Sequence, residues 1–143
     1  MKKLGKISVL VLFLLSIFVG SFTVYSISKV QSYGTLINYL GIVRGATQRL
    51  VKLELQHHHN DELIAYLDDI IYDLNNNDGK YQLVKITDAE YKSQFASLKL
   101  LWHRVKNDIY AIRLNPAASP ALLQDSEFHF EVANNTVFAA DNY

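Results

Sequence analysis

The sequence predicts an all-α chain, with an N-terminal transmembrane helix continuous with the long first helix of an up-down-up-down four-helix bundle. Three observations carry that prediction. Apolar residues recur every three or four positions, the rhythm that lines one face of a helix. Two prolines and six glycines in 143 residues leave few helix breakers. Ile7 to Ser28 holds no charge over about 22 positions, enough to cross a hydrocarbon core as a helix.

Lys2, Lys3 and Lys6 precede that apolar run and predict a cytoplasmic N-terminus. Residues 1–6 are therefore expected inside, 7–28 across the cell membrane in a single pass, and 29–143 outside as the bundle. A cleaved signal peptide competes, because its charged start and apolar run look the same. The length of the run and the lack of a small-x-small cleavage site favour an uncleaved anchor.

No proline or turn cluster follows Ser28, so the first helix is expected to run on and end near His57 to Asn60. Asn60 or Asp61 suits the N-cap of a second helix, Glu62 to about Leu74, with Leu63, Tyr66, Leu67, Ile70, Ile71 and Leu74 on one stripe. Asn75 to Gly79 is a turn signal, and Tyr81 to Ile86 a short apolar segment, extended or lying over the bundle. Thr87 or Asp88 caps a third helix, Ala89 to about Leu114. Its core positions are Tyr91, Phe95, Leu98, Leu101, Trp102, Val105, Ile109 and Ile112. Asn115 to Pro120 ends it. A fourth helix begins at Pro120 with Ser119 as cap, and Leu122, Leu123, Phe128, Val132, Thr136, Val137 and Ala140 are expected to face inward. Short connections make sequential helices antiparallel.

Formal net charge is zero, so no basic excess points to nucleic acid. The absence of cysteine rules out disulfides, thiolate catalysis and Cys-based zinc sites. No nucleophile elbow, phosphate loop, kinase signature or paired-carboxylate arrangement is present, so the chain is not expected to be an enzyme, and no cofactor is implied.

The first helix carries the chemistry. At helical spacing Leu36, Leu40, Val43, Thr47 and Leu50 form one ordinary apolar side. The neighbouring seam holds Ile37, Gly41, Arg44, Gln48, Val51 and Leu55, and Gly41 and Gly45 flank its arginine. Each glycine costs a helix about 1 kcal/mol relative to Ala, yet lets another backbone or a ligand come close. Such a conflict between pattern and chemistry is expected at a functional site.

The order Asn38, Gly41, Arg44, Gln48, Arg49 resembles the signature of the first sensor helix in the pilus-type chemoreceptor family, and is similar to the box of nitrate sensor kinases. Leu40 stands where that family usually has a small residue, and Gly45-Ala46 where methionine and leucine are common. Arg44 to Leu55 and Asp61 to Leu67 also look like the extracytoplasmic regions preceding diguanylate cyclases and histidine kinases of anaerobic Gram-positive bacteria. The resemblance implies a homodimer whose first helices lie side by side, with Arg44 in the place of the anion-binding arginine. It also implies a longer receptor, with a second membrane helix and an output module beyond Tyr143.

On this reading Arg44 offers a planar fork of donors that matches a small oxyanion or carboxylate. Gln48 adds a neutral donor, Asn38 a further donor and Gly41 room, while Arg49 and Lys52 pair with acids on a neighbouring helix or add positive field. Two plainer readings stand beside it. Arg44 is an interhelical salt bridge without ligand, or the seam is a solvated helix edge. The whole chain is then a structural or partner-binding bundle of the cell envelope, or a secreted helical adhesin.

His57-His58-His59 invites a metal proposal, but consecutive helical residues point about 100° apart and cannot chelate from one face. At a helix C-terminus their charge agrees with the dipole. His103 and His129 read as ordinary surface or core residues, and Tyr91, Phe95 and Trp102 as core. Asn134-Asn135-Thr136 matches a glycosylation sequon, which is discounted within a helix.

Overall fold

The structure, a computed structural model, describes residues 2–143, with side chains from residue 5 onward. The charges of Lys2 and Lys3, on which the expected orientation rests in part, lie outside the described side chains. The described chain is all-helical, and four helices pack together: α1 (Lys2–Leu55), α2 (Asp61–Asn76), α3 (Ala89–Leu114) and α4 (Ser119–Asp141). Two compact units divide it, Met1–Gly34 and Thr35–Tyr143.

In the first unit every residue from Gly5 to Tyr25 is exposed, including Leu12, Phe13, Phe18 and Phe22. A helix that is apolar all round suits lipid rather than water. Its few hydroxyls fold back on their own helix, Ser16 Oγ donating to the Phe13 carbonyl at 2.7 Å and Thr23 Oγ1 to that of Val19 at 2.9 Å. That satisfies them without water. By length and composition α1 is able to cross a membrane.

In the second unit the apolar side of α1 is buried as its spacing requires: Leu36, Leu40, Val43, Thr47 and Leu50 are all fully covered. α1 stops at Leu55, slightly before the expected end, because His57 turns left-handed at φ 61°. The His57 N–H then donates to the Glu54 carbonyl (2.9 Å) and the His58 N–H to that of Leu53 (2.9 Å), the paired bonds that close a Schellman ending. The histidine run thus terminates the helix instead of continuing it.

Asn60 caps α2, its Oδ1 accepting from the Leu63 N–H at 2.9 Å, and Asp61 and Glu62 sit where the dipole favours acids. Ile64, Leu67, Ile70, Ile71 and Leu74 are buried. The connection to α3 is irregular, with Leu83 and Ile86 tucked in. The fully buried Asp73 organises it, accepting from the N–H groups of Gly79, Tyr81 and Leu83. A side chain at position 79 would come within 2.8 Å of Asp73, so only glycine fits.

α3 follows its expectation throughout. Asp88 caps it, and all eight expected core residues are buried. α4 does not. A 3-10 turn, Pro116–Ala118, precedes it, capped by Asn115, whose side chain accepts from the Ala117 N–H. Ser119 is inside the helix with its hydroxyl on the Pro116 carbonyl, so it is not the cap. The inward row is also shifted. Leu122, Asp125, Ser126, His129, Ala133, Thr136, Ala139 and Ala140 are buried, while Leu123 and Phe128, expected inside, are 49% and 46% exposed. Val132 and Val137 are half-buried. The physical reason is that Asp125 meets Arg104 of α3, and the Ser126 carbonyl meets Gln48 of α1. Those two bonds hold the polar residues of α4 inward.

Candidate functional site

Arg44 is half-buried on α1 and faces α4. Its Nη1 donates to Asn134 Oδ1 at 2.6 Å, and its guanidinium carbon lies 5.8 Å from the centre of the Phe130 ring. One turn on, Gln48 Nε2 donates to the Ser126 carbonyl at 2.9 Å. Ser126, Phe130 and Asn134 recur at four-residue spacing, so α4 presents one row to Arg44 and Gln48.

Of the residues expected around the arginine, the fold brings Arg44 and Gln48 together against that row. Gly41 is half-buried and Gly45 exposed, and a β-carbon built on either meets no atom within 4 Å. Asn38 is exposed, and its side chain makes no hydrogen bond to a described residue. Arg49 and Lys52 are exposed, and neither joins an ion pair among the described residues. Sequence reasoning missed Asn134, Phe130 and Ser126. The available signal was polar residues on the same helical row as Phe130.

No protein-family model, curated protein or solved structure matches the chain. The site is therefore read from its own geometry.

Two other polar clusters show what Arg44 lacks. At the far end of α1, Glu54 is fully buried and accepts from Arg113 Nε (2.9 Å) and Nη2 (2.6 Å), from His59 Nδ1 (2.9 Å) and from the Asn60 N–H (3.1 Å). Arg113 Nη1 reaches Asp61 at 2.7 Å. Burial pushes the Glu54 carboxyl up, but those hydrogen bonds and the Arg113 charge hold it below its ordinary value. The hydrogen bond to Glu54 in turn raises the Arg113 guanidinium, burial opposing it.

Between α3 and α4, Arg104 pairs with Asp125 at 2.6 Å, and Asp108 is pushed up by burial and then by the charge and hydrogen bond of Asp125. Nearby, His129 is fully buried with its ring 6.3 Å from that of Trp102. Neither of its ring nitrogens has a partner among the described residues, nor does the buried hydroxyl of Thr47. Burial drives the His129 imidazole down to about 4, so it stays neutral. Among the described residues no group of three or more His, Asp or Glu is placed to hold a metal.

Proposed function

We propose that the chain is the membrane-anchored, extracytoplasmic sensing part of a bacterial signalling receptor, and that it binds a small anion or carboxylate at Arg44 between two copies of the chain. The observation that carries this reading is the partner of Arg44. Arg104 and Arg113 each take a carboxylate, whereas Arg44 has only the neutral Asn134 amide and an aromatic face among the described residues. A half-buried cation so placed keeps an unneutralised charge, and an anion supplies the missing partner. The bare surface beside Gly41 and Gly45 leaves room for a second α1 to approach, bringing two arginines around one anion.

The architecture belonging to this reading is an up-down-up-down bundle. Contact order supports it: on α3 the residues Lys99, Trp102 and Arg113 meet Asn75, Asp68 and Asp61 of α2, in descending order. Arg44 and Gln48 meet Asn134 and Ser126 of α4 in the same reversed sense. The signal travels by α1, which carries both Arg44 and the apolar stretch. A ligand that favours one arrangement of paired α1 helices shifts their populations by its differential affinity. The lysine-flanked N-terminus supports an inside start and an outside bundle.

Thermal unfolding of the full chain in detergent micelles tests the reading, wild type beside Arg44→Ala, with nitrate, nitrite and short carboxylates. A ligand at a hundred times its dissociation constant adds about 2.7 kcal/mol to the folded state. A shift in wild type that vanishes in Arg44→Ala is the expected result. No shift with any compound in folded, dimeric protein sinks it and favours the second reading, docking of another envelope protein. The exposed Leu123, Phe130 and Phe138 of α4 support that alternative, and there Arg44→Gln alters assembly without any ligand response.

A further inference from the structure

A second place in the bundle shares no residue with the Arg44 seam. It is a cleft of about 230 Å³ between the last turn of α2, the irregular connection and the first turns of α3. We propose that this cleft binds a small carboxylate carrying an apolar body, such as an aromatic or branched-chain acid, within a single copy of the chain.

Charge makes the first argument. Lys85, Lys92 and Lys99 line the cleft, no acid does, and none of the three joins an ion pair among the described residues. Asp73 takes three N–H groups of the connection and Asp88 takes the Tyr91 N–H, so both are engaged by backbone, while Asp78 and Glu90 are exposed and line no part of the cleft. In a chain of zero net charge, three ammonium groups in a lining that holds no acid are a local concentration of positive charge.

The lining makes the second. Ile86 and Phe95 are 3% and 5% exposed, and form an apolar floor beneath the lysines. Lys99 lies 5.5 Å over the Phe95 ring and donates to Asn75, which holds its stem against that floor. A bare inorganic anion would leave this apolar surface unused, whereas the body of an organic acid covers it.

Tyr91 makes the third. It lines the cleft, is 3% exposed, and its hydroxyl has no hydrogen-bond partner among the described residues. A buried hydroxyl left alone is costly, and a ligand oxygen completes it. The volume lies below the roughly 300 Å³ at which drug-sized sites begin, so the acid is small.

Equilibrium dialysis of radiolabelled benzoate against the full chain in detergent micelles tests this, with empty micelles as blank and Trp102 emission as the check on folding. Saturable binding is expected, weakened at least tenfold by the exposed pair Lys85→Gln and Lys92→Gln, weakened less by Tyr91→Phe, and kept by Arg44→Ala. Benzyl alcohol, the same body without charge, should not compete. Uptake no greater than that of empty micelles overturns the proposal, as does binding that survives the lysine pair. Loss of binding in Arg44→Ala alone overturns it too, and assigns benzoate to the seam. Nitrate acting through Arg44 is scored separately, so either site fails without the other.

Discussion

Arg44 and Arg113 both reach across the bundle from one helix to another, and they land on opposite kinds of partner. Arg113 makes a two-pronged bond to Glu54, a carboxylate with no exposed surface, and a further bond to Asp61. Arg44 makes one bond, to an amide, beside a phenyl ring. The first arrangement is closed, with the guanidinium facing carboxylates and both Glu54 oxygens taken. The second has charge left over. A fold that needs an arginine for stability supplies its counter-charge from the chain, so the unmatched one is the better place to look for a ligand.

The largest test of this contrast is Glu54→Ala. It leaves His59 and the Asn60 N–H without their acceptor and Arg113 with only the exposed Asp61, and should lower unfolding stability by about 3 to 5 kcal/mol, read from denaturant titration of Trp102 emission. An effect under about 1 kcal/mol would mean that the closed cluster is closed in geometry only.

Next comes pH, which separates a paired buried group from an unpaired one. His129 is held at about 4 in the folded chain against 6.5 for an ordinary imidazole. Between those values the unfolded chain binds the extra proton, so stability is full above pH 6.5 and falls as pH drops toward 4, by on the order of 3 kcal/mol. His129→Leu should flatten that window. Glu54 is also held below its ordinary value, 4.5, so its contribution is present above that pH and lost on further acidification. A loss confined to pH below 4.5 in both proteins would leave His129 without the assigned role.

Smaller still is Arg44→Met, expected to change stability by no more than about 1.5 kcal/mol, since a single hydrogen bond and a partly exposed side chain are lost. A cost matching that of Glu54→Ala would erase the contrast and make Arg44 structural. Smallest is His57→Gly. The left-handed residue that ends α1 is uncomfortable for any side chain, so glycine there should stabilise by a few tenths to about 1 kcal/mol, read from the same denaturant titration.

How far the site was legible follows from range along the chain. Arg44 and Gln48 stand out because they interrupt an apolar seam four residues apart, a pattern within one helix. Asn134 carried no comparable sign, and read alone it suggested only a sequon. Its meeting with Arg44 spans ninety positions and depends on how α4 is rotated. The rotation itself was misread at Phe128 because an aromatic residue is the natural guess for an inward position. A neighbouring row carrying Asp125 and His129 went in instead.

The sequence by itself determined what depends on neighbours within a turn or two: the helices, their caps to within one residue at Asn60 or Asp61 and at Thr87 or Asp88, the break after α2, and the core stripe of α3. Side-chain spacing and backbone donors act there over a few residues, so pattern suffices. Tertiary structure alone decided which face of α4 is buried, that Glu54 closes on Arg113, and that Arg44 finds an amide and not an acid. Those outcomes set the loss of hydration of each polar group against the partners that packing brings within reach, and no stretch of sequence contains both sides of that balance.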